Sequence, residues 1–153
     1  MPKPGNWLSH SHSTRSFVPA AETTAESILD VFEPQVLGGV TAAGAVLPGM
    51  RARKNGTLLF TTGASSVHPI AMMGNAGIAA AGLRNYALAL HQAVAADGIF
   101  VGHVALDLFI EPGAGEADPD ALADRFFELY ERRDQPEIKV GNYIAQALAA
   151  TSN

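Results

Sequence analysis

The sequence predicts an α/β protein in which a short parallel sheet is flanked by long helices, and three observations support this prediction. Two short apolar runs rich in β-forming residues lie at 57–62 and 99–106, and an Ala-rich helical segment joins them at about 72–96. Strand, helix and strand in that order form one βαβ crossover, which makes the two strands parallel in one sheet.

Length and composition indicate one domain. The 153 residues, with 48% hydrophobic content, are enough for one compact core and short for two. We expect a single domain over residues 1–153, and within it an irregular segment at 1–21, the α/β core at 22–110 and an acidic, helical C-terminal segment at 111–153. Ten of the fifteen acidic residues lie between Asp107 and Glu137.

Charge and composition argue against several function classes. A net charge of -5 is unfavourable for a nucleic-acid surface, which would need clustered Lys and Arg. The absence of cysteine excludes disulfides and thiolate chemistry. The first residues do not resemble a signal peptide, and the longest apolar runs carry Gly, Asn, His or Arg too often to span a bilayer. We therefore expect a soluble, cytoplasmic protein without nucleic-acid or membrane partners.

A long, interrupted helix is predicted before the first strand, at about residues 24–54. Thr23 and Glu26 fit a capping box at its start. Pro34 and the pair Gly38–Gly39 are expected to kink or interrupt it, because proline removes a backbone donor and crowds the preceding turn. Positions spaced by three or four are mostly apolar and predict its buried face: Ile28, Val31, Phe32, Gln35, Val36, Val40, Val46, Leu47 and Met50.

Two helical segments and a strand are predicted after the crossover. Asp118 as N-cap and Pro119 at the first position start a helix that ends near Arg132. Residues 138–140 are predicted to form a short last strand, and residues 142–150 a terminal helical turn or two. The helix is expected to bury one face: Leu122, Phe126, Leu129 and Tyr130.

Four of the five histidines lie outside the loop that follows the first strand, and we predict no catalytic or metal-binding role for them. His10 and His12 have no cysteine or carboxylate neighbour that would complete a metal site, so we expect a solvated loop and no metal. His103, within a strand, is expected to be half-buried with a hydrogen-bond partner. His91, on the long helix, is expected to be exposed or at an interface.

The polar loop after the first strand holds the candidate catalytic residues, because ligands bind at the carboxyl ends of strands in open α/β sheets. Ser65, Ser66 and His68 lie in this loop, and two further candidates, Gln35 and Asp107, are expected near its mouth. A Ser-His-Asp site would need the imidazole within reach of the hydroxyl and oriented by the acid. The simpler interpretation, which we favour, is that both serines bond loop amides and that His68 is a polar loop residue.

Four short runs in a fixed order resemble the short-chain dehydrogenase/reductase family: Val46–Arg51, Gly56–Phe60, Ala81–Arg84 and Asp97–Val101. The resemblance extends from about Glu22 to Leu106 and covers the second half of the family's fold. It implies a partial Rossmann-like three-layer sandwich, with residues 22–110 as the family-like core, and it implies membership of an oxidoreductase superfamily.

The family's catalytic positions carry no reactive groups in this chain. By the resemblance, its Ser, Tyr and Lys fall on Gly63, Ala76 and Ala80. Its Asn in the preceding helix falls on Gln35. An Ala can neither transfer a proton nor shift the pKa of a neighbour. The only lookalike of the Gly-rich nucleotide fingerprint, at residues 113–118, places two carboxylates where a phosphate would lie.

These features imply a truncated, degenerate family member, a pseudoenzyme that binds a partner. We expect no cofactor on the isolated chain, and NAD(P) only if a partner completes the site. Family members build a dimeric helical bundle from the helices at 24–54 and 72–96, so a homodimer or larger assembly, or a full-length relative as partner, is expected. The alternative is an oxidoreductase, or another small-molecule enzyme, that uses the retained substrate pocket with a nucleotide-binding half supplied in trans. A remnant without activity is the third alternative.

Overall fold

A computed structural model describes residues 17–144, 146 and 147 of the chain. It shows a Rossmann-like arrangement in which a three-stranded parallel sheet lies between helices, as the sequence predicts. The principal helices are α1 (Ala25–Phe32), α2 (Gly38–Arg53), α3 (Gly74–Val94) and α4 (Pro119–Arg132), and the strands are β1 (Gly56–Gly63), β2 (Ile99–Asp107) and β3 (Glu137–Gly141).

The strand order β1-β2-β3 places β2 at the centre of the sheet. β1 pairs with β2 along its whole length, and β3 pairs with the second half of β2, from His103 opposite Glu137 to Asp107 opposite Gly141. Because all three strands are parallel, their carboxyl ends meet at one edge of the sheet. The loop after Gly63 therefore lies beside the end of β2.

Apolar side chains pack on both faces of the sheet, and burial of each Val, Leu or Phe contributes about 1.5–3 kcal/mol. On one face, residues of α2 and α3 pack with two residues of β2: Ala43, Leu47, Met50, Ala87 and Val94 with Ile99 and Val101. On the other face, residues of α4 pack with residues of β2 and β3: Leu122 and Leu129 with Phe100, Val104 and Val140.

The capping box at the start of α1 lies one residue later than predicted. Thr24, not Thr23, is the N-cap, and its Oγ1 accepts a hydrogen bond of 3.2 Å from the Ser27 N–H. The Thr24 N–H donates to Ser27 Oγ at 3.0 Å, so Ser27 has the role assigned to Glu26. Thr23 instead donates its hydroxyl hydrogen to the Pro19 carbonyl at 3.0 Å, outside the helix.

The predicted interruption of the long helix is confirmed as a π-helical turn at Glu33–Leu37, which contains Pro34. A π turn adds one residue and so rotates the positions that follow it. Gly39 then faces the core, where a Cβ would lie 2.9 Å from Leu83 Cδ1. Val40 and Val46, predicted to be buried, are 38% and 41% exposed.

The helix and strand predicted beyond β2 are confirmed, but the predicted burial of one side chain is wrong. Asp118 caps α4 by accepting from the Asp120 N–H at 2.9 Å, and Pro119 is its first residue. Leu122 and Leu129 are buried, but Tyr130 is 45% exposed because it points away from the sheet side of α4. Residues 143–144 and 146–147 are helical, and the rest of the predicted C-terminal helix lies outside the described residues.

Two histidine assignments also change. His103 is completely buried rather than half-buried. His91 is half-buried within the chain, with Nδ1 3.0 Å from the Val101 carbonyl oxygen and its ring edge-on to Phe100. His10 and His12 lie outside the described residues. In the part of the chain that the structure describes, no helix is both long enough and apolar enough to cross a bilayer.

Candidate functional site

A groove of about 590 Å³ opens where β1 ends and α3 begins. Its wall is mostly apolar, and Ser65, Ser66 and His68 are its only polar side chains in the described residues. The wall is formed by Ala20, Ser65, Ser66, Val67, His68, Pro69, Ile70, Ala71, Gly74, Gly77, Ile78 and Ala81. The groove therefore suits a small ligand that is largely apolar.

The structure does not assemble a Ser-His-Asp site from the candidates. Ser66 is buried, and its hydroxyl donates to the Gly63 carbonyl at 2.9 Å and lies 2.8 Å from Thr62 Oγ1, not beside His68. Ser65 is half-buried and lines the groove. The interpretation of the serines as loop-bonding residues holds for Ser66, although its partners are a carbonyl and a side chain rather than amides.

His68 and Asp107, however, come together beside the groove. His68 Nε2 lies 3.9 Å from Asp107 Oδ2, too far for a hydrogen bond but close enough for an ion pair when the imidazole is protonated. The Asp107 side chain is fully buried, and its Oδ1 accepts from the Ile144 N–H at 2.7 Å. His68 Nε2 and Asp107 Oδ2 have no hydrogen-bond partner among the described residues, which is costly for buried polar atoms.

Gln35 belongs to a different pocket. That pocket has a volume of about 300 Å³ and is lined by Phe17, Val31, Pro34, Gln35 and Ala76. Gln35 and the two loop serines therefore do not share a cavity among the described residues.

A buried polar network that the sequence did not reveal crosses the sheet next to the groove. Thr62 Oγ1 on β1 lies 2.9 Å from His103 Nε2 on β2, and His103 Nδ1 lies 3.0 Å from Glu137 Oε1 on β3. Arg84 from α3 binds the same carboxylate with two hydrogen bonds. With Ser66 at its other end, the network joins five side chains from the groove to the far strand.

The charges in this network are set by burial and by the Arg84 ion pair. The Arg84 hydrogen bonds lower the pKa of Glu137 below its ordinary value, and the His103 hydrogen bond lowers it further against the opposing effect of burial. Burial lowers the pKa of His103 even though Glu137 favours its protonated form. At neutral pH the network therefore holds an ionised carboxylate, a guanidinium and a neutral imidazole.

Among solved structures, the chain is similar to short-chain dehydrogenases over most of its length. A short-chain dehydrogenase from Streptomyces avermitilis matches 90% of this chain and 61% of its own, with 20% identity and a TM-score of 0.76. An oxidoreductase of the short-chain dehydrogenase/reductase family from Burkholderia thailandensis matches 90% of this chain and 65% of its own, with 22% identity and a TM-score of 0.72.

The chain has the short-chain dehydrogenase fold. A third structure, a short-chain dehydrogenase/reductase from Brucella ovis in complex with a partially ordered NAD, matches 84% of this chain and 59% of its own, with 16% identity and a TM-score of 0.63. This chain thus spans about 59–65% of the length of these three proteins. No family model matches the sequence, and no curated protein matches it.

The structure shows where the three positions lie that the sequence resemblance assigns to the family's Ser, Tyr and Lys. Gly63 ends β1 and has open space around its Cβ position. Ala76 lies in the first turn of α3 and lines the Gln35 pocket. Ala80 follows one turn later and is 3% exposed. None of the three side chains can accept or donate a proton.

In the glycine-containing loop at Gly113–Asp118, a backbone amide is hydrogen-bonded to a side chain of the same loop. The Gly113 N–H donates to the Asp118 carboxylate, whose pKa is lowered by this bond and by the bond from Asp120. The Gly113 amide is therefore already bonded to a carboxylate of the chain. In the described residues no group of three or more His, Asp or Glu side chains could hold a metal ion.

Proposed function

We propose that this chain is a partner-binding subunit with the short-chain dehydrogenase fold and does not transfer hydride by itself. Gly63, Ala76 and Ala80 support the second part, because they provide no group for the acid–base step that the family's chemistry requires. NAD(P) would bind only where a partner completes the site. The cytoplasmic location stays a prediction.

The proposal that this chain binds a partner rests on the outward face of α2. Residues 38–50 include no charged side chain, and the charged residues of α2 are confined to its last turn at Arg51 and Arg53. Val40 and Val46 are 38% and 41% exposed, and Leu37, just before α2, is 48% exposed. A helix face in water normally carries charged residues, so an apolar outward face is typical of a helix that a second protein covers.

Covering this apolar face would favour association. Each Å² of apolar surface removed from water contributes about 25 cal/mol, so a few hundred Å² supply several kcal/mol before the entropy of association is subtracted. The simplest partner for this face is a second copy of this chain, with α2 packed against α2 and α3 alongside. The other candidate partner is a longer relative with the same helices.

Sedimentation velocity on the purified chain tests this proposal. We expect the wild-type chain to be a dimer or larger, and Val46→Glu to shift it to a monomer by placing a carboxylate in the interface. Phe127→Glu is the matched control, because Phe127 is 59% exposed on α4, on the other side of the sheet. A folded monomeric wild-type chain, or equal dissociation by both variants, would contradict a homo-oligomer.

A second candidate function is that of a small-molecule enzyme that uses the groove, with the nucleotide-binding half supplied in trans. His68 Nε2 and Asp107 Oδ2, neither with a hydrogen-bond partner among the described residues, favour it, because a histidine next to a buried carboxylate is a common general base. Calorimetric titration with NADH and NADPH tests the premise that both candidates share, that the isolated chain has no cofactor site of its own. We expect no heat of binding from the isolated chain, and tight binding would overturn the proposal that it lacks a cofactor site of its own.

A further inference from the structure

The polar network ends at the groove, and its other members lie behind the groove wall. Ser66 lines the groove, and its Oγ lies 2.8 Å from Thr62 Oγ1. Thr62 Oγ1 lies 2.9 Å from His103 Nε2, and His103 Nδ1 lies 3.0 Å from Glu137 Oε1. Hydroxyl, hydroxyl, imidazole and carboxylate thus follow one another at hydrogen-bond distance.

The hydrogen positions in this line follow from the groups at its inner end. The Glu137 carboxylate, held ionised by Arg84, can only accept, so His103 Nδ1 carries a hydrogen. Because burial keeps His103 neutral, its Nε2 is bare and accepts the Thr62 hydroxyl hydrogen. The Ser66 hydroxyl donates to the Gly63 carbonyl in this structure, and rotation about its Cβ–Oγ bond would turn its hydrogen to the free lone pair of Thr62 Oγ1, 2.8 Å away.

We propose that Ser66 is a nucleophilic hydroxyl whose proton passes through Thr62 to His103 Nε2. In the step, Ser66 Oγ forms a bond to an acyl or phosphoryl centre and the leaving group departs with the bonding electron pair. The Ser66 proton moves to Thr62 Oγ1 as the Thr62 proton moves to His103, and Glu137 stabilises the imidazolium that results. Ser66 is the reacting group, and Thr62, His103 and Glu137 are positioning residues.

The groove restricts the substrate to a small, uncharged ester. Apart from Ser65, Ser66 and His68, its lining side chains are apolar, with Val67, Ile70 and Ile78 the largest. A charged substrate would lose its hydration there without a partner of opposite charge. This activity would be independent of hydride transfer and of α2-mediated assembly, so it goes beyond the proposed function.

A dialkyl fluorophosphate tests the proposal directly, because it reports hydroxyl reactivity without knowledge of the substrate. Attack by Ser66 would form the Oγ–P bond and release fluoride, and peptide mass spectrometry would locate the adduct. We expect the adduct at Ser66 and its loss in Ser66→Ala, with no adduct on Ser65, the other serine of the groove. No adduct at Ser66, or an adduct at Ser65 formed as fast, would overturn the proposal.

The role of the inner residues is tested by the labelling rate rather than by stability. Thr62→Val keeps the shape of a β-branched side chain but breaks the line, and we expect it to slow labelling about a hundredfold while the fold is retained. The charged groups that face His103 are Glu137 from β3 and Arg84 from α3. Wild-type labelling should slow as pH falls through the pKa of His103, and unchanged labelling by Thr62→Val would show that the network is only structural.

Discussion

Glu137 is the residue on which the charges of the sheet interior depend. It accepts two hydrogen bonds from Arg84 and one from His103, and its side chain is 28% exposed. Because His103 is completely buried, its charged form would be costly even beside this carboxylate. Single ionisable residues thus make the stability of the chain depend on pH.

We predict that the wild-type chain loses stability on mild acidification because of His103, and that His103→Gln lacks this loss. The pKa of His103 is lowered by folding, so the unfolded chain, with a value near 6.5, takes up the proton first as pH falls. Below about pH 6.5 wild-type stability should therefore decrease, by at most about 1.4 kcal/mol per pH unit, until folded His103 also titrates. Urea unfolding at pH 8, 6 and 5 measures this, and parallel curves for wild type and variant would refute it.

The contribution of Glu137 has its own pH window. Its pKa is lowered by folding from an ordinary value of 4.5, so its contribution is present above that pH and is lost as pH falls through the folded pKa. Glu137→Gln should therefore leave a variant that is less stable than wild type at pH 7 and that loses less stability below pH 4.5. The His103→Gln variant, by contrast, should keep the loss in this lower range.

Two glycines with similar positive φ angles allow backbone strain to be separated from steric overlap. Gly98 has φ +75° and Gly113 has φ +79°, both in the left-handed region that favours glycine. A Cβ on Gly98 would overlap the Lys54 carbonyl oxygen, whereas a Cβ on Gly113 has nothing within 4 Å. We predict that Gly113→Ala costs about 1 kcal/mol and Gly98→Ala at least about 1 kcal/mol more. Equal free energies of unfolding for the two variants would contradict the overlap.

At the scale of elements, the cap of α1 accounts for a definite part of its stability. Thr24→Ala should cost about 1 kcal/mol, because it leaves the Ser27 N–H without its side-chain acceptor. Thr24→Ser keeps the oxygen and should remain within a few tenths of a kcal/mol of wild type. Thermal unfolding of the three proteins checks this prediction, which fails if Ser and Ala at this position are equally destabilising.

The elements themselves were largely predictable from local signals, and their details were not. The βαβ crossover, the Asp118-Pro119 start of α4 and the interruption at Pro34 each follow from residue types within one or two turns. The sequence pattern favoured Thr23, because Glu26 lies three residues after it, whereas the structure uses Thr24 with Ser27. The phase of α2 depended on one extra residue in the π turn, which no periodicity of the sequence marks.

The candidate site was less predictable because its contacts join distant parts of the chain. Thr62 contacts His103, although its neighbour in the β1–β2 register is Ala105 and the neighbour of His103 is Phe60. Such a diagonal contact depends on strand register and side-chain direction together, which one sequence does not provide. The pairing of His68 with Asp107 was foreseeable in outline, because parallel strands bring their carboxyl ends to the same edge.

At the scale of the whole molecule, the sheet is asymmetric in how strongly its strands are held. β2 has a neighbour on each side and is buried at nearly every position, whereas β3 is five residues long and pairs with β2 alone. The Glu137 side chain is what fastens the start of β3 to α3 and β2, together with the His103 N–H that donates to the Pro136 carbonyl at 2.9 Å. Local opening of β3 should therefore precede unfolding of the core.

Hydrogen exchange followed by mass spectrometry tests this order of opening. We expect peptides of β2 to exchange slowest and those of β3 faster, and we expect Glu137→Gln to accelerate exchange in β3 but not in β1, because only β3 loses its anchor. Glu131→Gln is the matched control, since Glu131 is exposed on α4 and its charge change is the same. Uniform acceleration across β1, β2 and β3 would instead mean that Glu137 stabilises the fold as a whole, and the three strands would then open as one cooperative unit.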